Sequence, residues 1–308
     1  MKPYGWFGLA LLAVAEVSLF RRVEPFYSWF YCLAWWSYIL LADNLLLAAR
    51  GRSLLSARRR ELAAMLPLSV FVWLLFEACN LVVRNWGYQG VPPQAWLRWP
   101  GYAAAFATVL PGIFITADLI ECLLWRRCGR PAASEREPLA APPPRAPAPV
   151  YTAAGAALTA AALVRPRCFF CGVWVGPILL LDPLLEKAGV RSLSLQAAAG
   201  ERRRIASLLL GGLACGILWE FWNYWAGSRW VYSVPYFGAW KIFEMPAAGF
   251  LGFPPFALEC WILYHLLDTV RARLHGRAPT AIFWTAVAIF CLLMFRALDS
   301  RTVLAFAD

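Results

Sequence analysis

Charged residues and histidine are both scarce in this chain. Only 15% of the 308 residues are charged and only two are histidine, while 61% are hydrophobic. A soluble globular protein has roughly 25% charged and 45–50% apolar residues. The composition therefore argues against a soluble enzyme and predicts an integral membrane protein with several spanning helices. The shortage of histidine also argues against a His-rich di-iron oxygenase or desaturase.

The chain also lacks the motifs of the common cofactor enzymes. It contains no phosphate-binding loop, zinc helix, haem motif or nucleophile elbow. It has no Asp-rich cluster of the kind that holds magnesium against a prenyl diphosphate. Among nine cysteines, Cys168 and Cys171 form the only close pair, and His265 and His275 are too distant in sequence to complete a zinc site. We therefore predict no metal and no cofactor, and the role of the cysteine pair stays open.

The net charge of +11 comes from arginines that cluster between apolar runs. This pattern is typical of cytoplasmic loops in membrane proteins and favours contact with lipid headgroups rather than with nucleic acid. It predicts a multi-pass protein of the cell inner (plasma) membrane with a cytoplasmic N-terminus. The clusters lie at 50–60, 126–130, 202–204 and 271–277.

Nine apolar segments are candidates for membrane helices, each about as long as the roughly 20 residues that a span requires. The fifth is short and built of Ala and Gly, so eight spans with a re-entrant fifth segment is the alternative count. The segments fall near 5–20, 26–48, 62–84, 101–125, 150–164, 168–185, 205–227, 246–267 and 280–297.

Similar landmarks recur in the same order in the two halves of the chain. Trp35 precedes Asp43 by eight residues, and Trp174 precedes Asp182 by the same spacing. An arginine-rich stretch then leads to a Glu-x-x-Asn pair, a Trp-x-Tyr triplet and a later Glu-Cys pair in each half. These landmarks are Glu77, Asn80, Trp86, Tyr88 and Glu121 in the first half, and Glu220, Asn223, Trp230, Tyr232 and Glu259 in the second.

The recurrence predicts an all-α membrane protein of about nine transmembrane helices, arranged as two parallel four-helix repeats plus a C-terminal helix. An even number of helices per unit makes both repeats run the same way through the membrane. The predicted parts are the first repeat at 1–127, a Pro-rich cytoplasmic linker at 128–149, the second repeat at 150–275, and the C-terminal helix and tail at 276–308.

Ionisable residues recur inside the apolar segments, where each costs about 2.5–3.5 kcal/mol on insertion scales. We expect their helix faces to turn inward and line one polar chamber. Counting helix rise from the arginine clusters places Glu220, Glu77 and Glu259 deepest, with Asn223 and Asn80 beside them. These five are the predicted catalytic residues. Three carboxylates nearer the cytoplasmic ends rank below them: Asp43, Glu121 and Asp182.

Buried carboxyls of this kind favour proton chemistry on an apolar substrate that enters from the lipid. A protonated glutamic acid beside an ionised one makes an acid–base pair. Aromatic faces stabilise a carbocation by cation–π attraction. The pattern favours cyclisation, isomerisation or hydration of an alkene. The residues predicted to contact the substrate are Trp222, Trp225, Trp230, Tyr232, Arg229 and Glu244.

One arrangement in the second half combines Glu220 with Trp230-Val-Tyr232 and Pro255-Phe-Ala-Leu-Glu259. Its first-half counterparts are Glu77, Trp86-Gly-Tyr88 and Glu121. This arrangement resembles the membrane carotenoid cyclases of the lycopene β-cyclase type. Those proteins are small, all-helical and made from two tandem copies of a helical unit. The resemblance covers about fifty residues in each half. It implies an intramembrane acid–base enzyme that acts on an isoprenoid or another lipid.

Two other functions use the same residues. A proton-coupled transporter would use the carboxylates as a proton relay. A non-catalytic membrane assembly subunit would use its Glu-Asn pairs only to hold helices together, because interhelical hydrogen bonds stabilise membrane bundles. The Trp-x-Tyr triplets also match the aromatic belt at a membrane surface. All three functions remain open at the level of sequence.

Overall fold

The computed structural model of the chain describes residues 1–125, 148–234 and 240–304. It is almost entirely helical, and eight helices in this part of the chain are long and apolar enough to cross a membrane. The protein is therefore an all-α multi-pass membrane protein, as the composition predicted. The predicted Pro-rich linker lies outside the described residues, apart from its last two positions, where a helix begins.

The first half contains four long helical segments followed or interrupted by short elements. A 17-residue helix, the fifth apolar segment of the sequence, is too short to count among the eight. The elements up to this point are α1 (Pro3–Arg21), α2 (Phe30–Arg50), α3 (Leu54–Ala57), α4 (Arg59–Val83), β1 (Trp86–Gln89), α5 (Ala95–Phe106), α6 (Val109–Trp125) and α7 (Ala148–Val164).

The second half continues with the same alternation of long and short helices. Two 3₁₀ turns, Phe170–Trp174 and Ala247–Gly252, lead into the helices that follow them. The remaining elements are α8 (Pro166–Phe169), α9 (Gly176–Lys187), α10 (Leu193–Ala198), α11 (Arg202–Trp225), β2 (Arg229–Tyr232), β3 (Lys241–Ile242), β4 (Met245–Pro246), α12 (Phe253–Arg273) and α13 (Arg277–Arg301).

The core lies where α2, α4, α6, α11 and α12 meet. Helix α11 packs against both α6 and α12, and α12 packs in turn against α4. Small residues permit this close approach, since a Cβ at Gly212 would lie 2.5 Å from the Phe253 carbonyl oxygen. Trp35 and Trp261 are completely buried in this core.

Two short helices are each held by an aspartate on the preceding long helix. Asp43 on α2 accepts a hydrogen bond from the Leu55 backbone N–H (3.0 Å) at the start of α3. Asp182 on α9 accepts the N–H groups of Leu193 (2.7 Å) and Ser194 (3.0 Å) at the start of α10. Both carboxylates are buried and satisfy N–H groups that a helix start leaves unpaired. They fix the turn between two helices and lie away from the candidate site described below.

Replacing Asp182 should therefore destabilise the fold without any effect on chemistry. Asp182→Ala leaves two N–H groups at the start of α10 without their acceptor, and we expect a loss of about 1–2 kcal/mol. Asp182→Asn keeps one acceptor oxygen and should lose about half as much. Thermal unfolding in detergent measures both. An Asn variant as unstable as the Ala variant would contradict this account.

A cluster of charges ties α2, α6 and α11 together at the opposite end of α11 from β2. Asp118 on α6 pairs with Arg204 (2.7 Å) and with Arg50 (3.5 Å), and Glu121 also faces Arg204 at 3.7 Å. All four side chains are at least four-fifths buried. Glu121 thus lies in an ion-pair network, whereas its sequence counterpart Glu259 does not pair with any described arginine.

The two Trp-x-Tyr triplets form an antiparallel ribbon, β1–β2, at the carboxyl ends of α4 and α11. The register pairs Trp86 with Tyr232, Gly87 with Val231, and Tyr88 with Trp230. Each triplet therefore contacts the other in the same way. Because alternate strand residues share a face, and directly opposed residues share it too, all four aromatic side chains point to one side of the ribbon.

Candidate functional site

Glu77 is a buried carboxylate that accepts three side-chain hydrogen bonds on one of its oxygens. Its Oε1 accepts the indole N–H of Trp73 (3.1 Å) and of Trp86 (2.9 Å), together with the hydroxyl of Tyr88. Its Oε2 is buried and has no hydrogen-bond partner among the described residues. Trp73 lies one helical turn before Glu77, while the other two donors come from β1. The carboxylate therefore joins the end of α4 to the ribbon.

Glu220 has a similar position at the end of α11, with fewer donors. The Tyr232 hydroxyl donates to its Oε1 at 2.8 Å, and the Trp230 indole N–H donates to the Tyr232 oxygen at 2.8 Å. Its Oε2 is likewise buried and unpartnered within the described chain. In each half, then, a fully buried glutamate holds the hydroxyl of the tyrosine that ends the Trp-x-Tyr triplet.

The asparagines one turn further along each helix hold the strands. Asn80 donates to the Trp86 carbonyl oxygen (2.9 Å) and accepts the Asn85 N–H (2.9 Å). Asn223 donates to the Trp230 carbonyl oxygen and accepts the Trp230 N–H, both at 2.9 Å. These predicted catalytic residues thus bind backbone groups, and their observed contacts position the tryptophan of each Trp-x-Tyr triplet.

The two tyrosine hydroxyls are stable hydrogen-bond donors. Burial raises the pKa of Tyr88 and of Tyr232 well above the usual value near 10, and the adjacent carboxylates raise it further. A phenol with a raised pKa stays protonated at every physiological pH. Each hydroxyl therefore keeps its proton and donates it in a hydrogen bond to the neighbouring glutamate.

A cavity of about 460 Å³ lies against the aromatic face of the ribbon. A volume of this size suits a small-molecule ligand. Its walls come from the ribbon, α5, the beginning of α12 and both 3₁₀ turns. The aromatic residues that line it are Trp29, Tyr31, Trp73, Trp86, Tyr88, Tyr102, Phe106, Phe170, Trp174, Trp219, Trp230, Tyr232, Phe253 and Phe256.

This cavity differs from the polar chamber that the sequence predicted. Its lining is mainly aromatic and apolar, and none of the predicted carboxylates is among the described residues that line it. Glu77 and Glu220 lie behind the wall and are hydrogen-bonded to residues that form it, Glu77 to Trp73, Trp86 and Tyr88, and Glu220 to Tyr232. The physical reason is desolvation, because a buried carboxylate needs hydrogen-bond donors around it, and those donors form the wall.

The aromatic rings pack against one another across the two halves of the chain. Trp174, from the second half, stacks on Phe76 (centroids 5.6 Å apart) and on Trp86 (6.4 Å) in the first. Trp35, from the first half, lies 5.4 Å from Trp219 in the second. Interlocked rings have few free rotamers, so the cavity wall is rigid where these residues form it.

Glu259 is buried in α12 without a hydrogen bond to its Oε2 among the described residues. Pro255 and Phe256, one turn earlier on the helix, line the cavity, whereas Glu259 does not. The side chain therefore lies one turn beneath the cavity floor, so that three predicted carboxylates surround the cavity at a distance from its surface.

The predicted substrate contacts divide into two groups. Trp230, Tyr232 and Arg229 line the cavity. Trp222 instead packs against Trp35 (5.3 Å), and Trp225 is 53% exposed at the end of α11.

Glu244 is a neighbour of the cavity rather than part of its lining. It faces Arg229 at 3.9 Å and Lys241 at 3.8 Å. Arg229 also donates to the Tyr224 carbonyl oxygen at 3.2 Å. The only positive side chain predicted to touch the substrate is thus already engaged by a carboxylate and a carbonyl.

Sequence reasoning missed several residues of this site. Trp73 was detectable from its spacing, since a residue four positions before Glu77 lies on the same helix face. Trp86 and Tyr88 were noted as landmarks, but only their second-half counterparts were predicted as site residues. The approach of Trp174 from the other half left no local signal, because that contact depends on how the helices pack.

No family model, curated protein or solved structure matches this chain.

Proposed function

We propose that the protein is a membrane-embedded acid–base enzyme that cyclises, isomerises or hydrates an alkene in an isoprenoid or another lipid. One observation carries the proposal: two tyrosines, Tyr88 and Tyr232, line one apolar cavity, and the hydroxyl of each donates to a buried glutamate. An apolar cavity suits a hydrocarbon, and a hydroxyl backed by a carboxyl suits proton transfer. The resemblance to carotenoid cyclases favours an isoprenoid over other alkenes.

The proposed chemistry is a proton relay with no redox step. At one centre, the tyrosine O–H bond breaks as its proton adds to an alkene carbon, while the protonated glutamate returns a proton to the tyrosine oxygen. The resulting carbocation lies among aromatic faces that stabilise it. At the other centre, a substrate C–H proton passes through the tyrosine to an ionised glutamate. The double bond has then moved, or a ring has closed. In either case the first glutamate has lost one proton and the second has gained one.

Within this proposal the chain crosses the inner membrane nine times as two parallel four-helix repeats plus α13, with a cytoplasmic N-terminus. The matching contacts of Asp43 and Asp182, and of Glu77 and Glu220, support the repeats. The symmetric register of the ribbon supports a parallel arrangement, because both halves present the same strand at the same end. The substrate then enters from the lipid, near the outer surface.

Filling the cavity tests whether it holds a hydrocarbon. Ala105 lines the cavity, and Ala105→Phe places a ring in it. We expect the wild-type protein, purified in mild detergent, to carry an apolar alkene detectable by mass spectrometry of its lipid extract. The Ala105→Phe variant should retain about one tenth of it or less, since a ring cannot share the volume with a ligand.

The matched control is Ala156→Phe, which adds the same ring to an exposed face of α7. It should carry as much alkene as the wild type. Equal retention in both variants would show that the bound lipid belongs to the outer surface, and would count against the proposed site.

A second candidate, the non-catalytic assembly subunit, is favoured by a different observation. Glu77 and the two asparagines use their hydrogen bonds to join helices to the ribbon, as structural residues do. The variants at Glu220 described in the Discussion separate this function from catalysis.

A further inference from the structure

The end of the C-terminal helix reaches the wall of the cavity. Beyond α13, the Thr302 carbonyl oxygen accepts the Tyr88 backbone N–H at 2.8 Å, and Val303 pairs with Tyr88 as a short parallel bridge. We name residues 299–304 the C-terminal strap. The strap extends the β1–β2 ribbon on the edge of β1, directly behind the tyrosine that binds Glu77.

Asp299 anchors this strap to α5. Its two oxygens accept Nε and Nη2 of Arg98 at 2.7 and 2.6 Å, so the pair is bidentate. The Trp99 indole N–H (2.8 Å) and the Tyr102 hydroxyl (3.2 Å) donate to the same carboxylate. Four hydrogen bonds from three residues within about one turn of α5 make Asp299 the fixed point between α13 and α5.

The anchored residues belong to the cavity wall. Arg98 and Tyr102 both line the cavity. Tyr102 lies 6.2 Å from the Tyr88 ring, and Arg98 uses its remaining nitrogen on the carbonyl oxygens of Pro92 and Pro93 (2.7 and 2.6 Å). With its guanidinium bound on every side, Arg98 holds the loop after β1 in place and does not have a free edge for an anionic substrate.

The strap packs so closely against β1 that it restricts which residue can occupy position 87. A Cβ at Gly87 would lie 2.9 Å from the Thr302 carbonyl oxygen and 3.0 Å from the Leu304 side chain. The equivalent position in β2 is Val231, and no described residue forms a bridge on that strand's outer edge. Glycine is thus required where the strap packs, and valine is accepted where no described strap lies.

We infer that Asp299 is a positioning residue, which acts by holding the strap and α5 together so that β1 keeps the Tyr88 hydroxyl on Glu77. The role of Asp299 in catalysis rests on the proposed function, whereas its role in holding the strap does not. The strap supports the Glu77 centre alone, so the two centres are not equivalent. The Glu77 centre is fixed on both edges of its strand, whereas the described residues that hold Tyr232 are those of the ribbon, Asn223 and Glu220.

Two variants loosen the strap in different ways, and each has a control. Asp299→Asn removes the charge that Arg98 pairs with, and Asp299→Glu restores it. Gly87→Ala pushes a methyl group into the Thr302 carbonyl oxygen, and Val231→Ala changes the matching position of the other strand. All four are made in the full chain and purified with the lipid that accompanies it.

The hydrogen-exchange rate of the Tyr88 amide measures how firmly the strap is bound to β1, and it requires no substrate. We expect Asp299→Asn and Gly87→Ala to speed exchange in the peptide that covers 86–89 by about tenfold or more, since opening frees that N–H. Asp299→Glu and Val231→Ala should stay near the wild-type rate. Unchanged exchange in Asp299→Asn and Gly87→Ala would overturn the inference.

A separate measurement of the retained alkene, or of its conversion to product, tests whether Asp299 contributes to catalysis. Faster exchange at 86–89 together with at least a tenfold loss of product that Asp299→Glu restores supports a positioning role. Faster exchange with full product formation would overturn that role and leave the strap as a structural element only. If the wild type carries no alkene, the proposed function fails, while the exchange result still decides whether Asp299 positions Tyr88.

Discussion

Glu220→Gln is expected to abolish product formation while the protein still inserts and folds. Gln keeps an oxygen that can accept the Tyr232 hydroxyl, so the hydrogen bond at 2.8 Å has a substitute. It cannot release or take up a proton at neutral pH. General acid–base catalysis contributes about 10²–10⁴-fold, and the loss should fall in that range. The measurement is the ratio of substrate to product in lipid extracts of cells that express equal amounts of each variant.

Two further variants show whether the loss belongs to the relay. Tyr232→Phe removes the hydroxyl through which Glu220 reaches the cavity, and should lose activity to a similar degree. Glu201→Gln removes a carboxylate at the other end of the same helix, where it pairs with Arg191 away from the cavity, and should leave product formation unchanged. A Tyr232→Phe variant with full activity would mean that Glu220 acts by some route other than this hydroxyl.

The same Glu220→Gln variant distinguishes the three candidate functions. A transporter would show proton uptake into proteoliposomes that the substitution removes, with no change in any lipid. An assembly subunit would lose thermal stability when Glu220→Gln is combined with Asn223→Ala, with neither turnover nor flux affected. Only the enzyme predicts a loss of product at unchanged melting temperature, so one set of preparations separates the three.

The sequence predicted the parts of the fold that depend on local pattern. Apolar run lengths located the helices, and the spacing of Glu-x-x-Asn predicted that both residues share a helix face, as Glu77 and Asn80 do in binding β1. The residues around Glu220 were found because a carboxylate in an apolar helix is conspicuous. These features depend only on spacing along the chain, and a regular helix converts that spacing directly into positions on one face.

Contacts between distant segments were beyond the reach of sequence. The ribbon is an example, because each triplet lies in a strand of only four residues, which is too short for a period of two to be recognised. Asp299 is another, since its partner Arg98 lies about two hundred positions earlier. The sequence also predicted a polar chamber where the structure has an aromatic cavity. The positions of carboxylates in the sequence do not show which groups must surround them in the fold.

Glu77 should dominate the stability of this end of the molecule, more than Glu220. Glu77→Leu would leave three buried donors without an acceptor: the indoles of Trp73 and Trp86 and the Tyr88 hydroxyl. An unsatisfied buried donor costs about 1–3 kcal/mol. Part of that cost is offset, because leucine does not need the desolvation that a buried carboxyl needs. We therefore expect a net loss of about 3–5 kcal/mol, in the lower part of the sum for three unsatisfied donors.

Glu220→Leu is the matched control, since it removes the same group from the same place in the other half. There the Tyr232 hydroxyl is the only donor among the described residues, and it still accepts the Trp230 indole N–H, so the loss should be about 1–2 kcal/mol. Glu77→Gln keeps an acceptor oxygen for all three donors and should lose about 1 kcal/mol, as one net hydrogen bond is worth. Thermal and denaturant unfolding in detergent rank the three. Equal losses for Glu77→Leu and Glu220→Leu would mean that donor number does not set stability, and that the two centres are equally free to do chemistry.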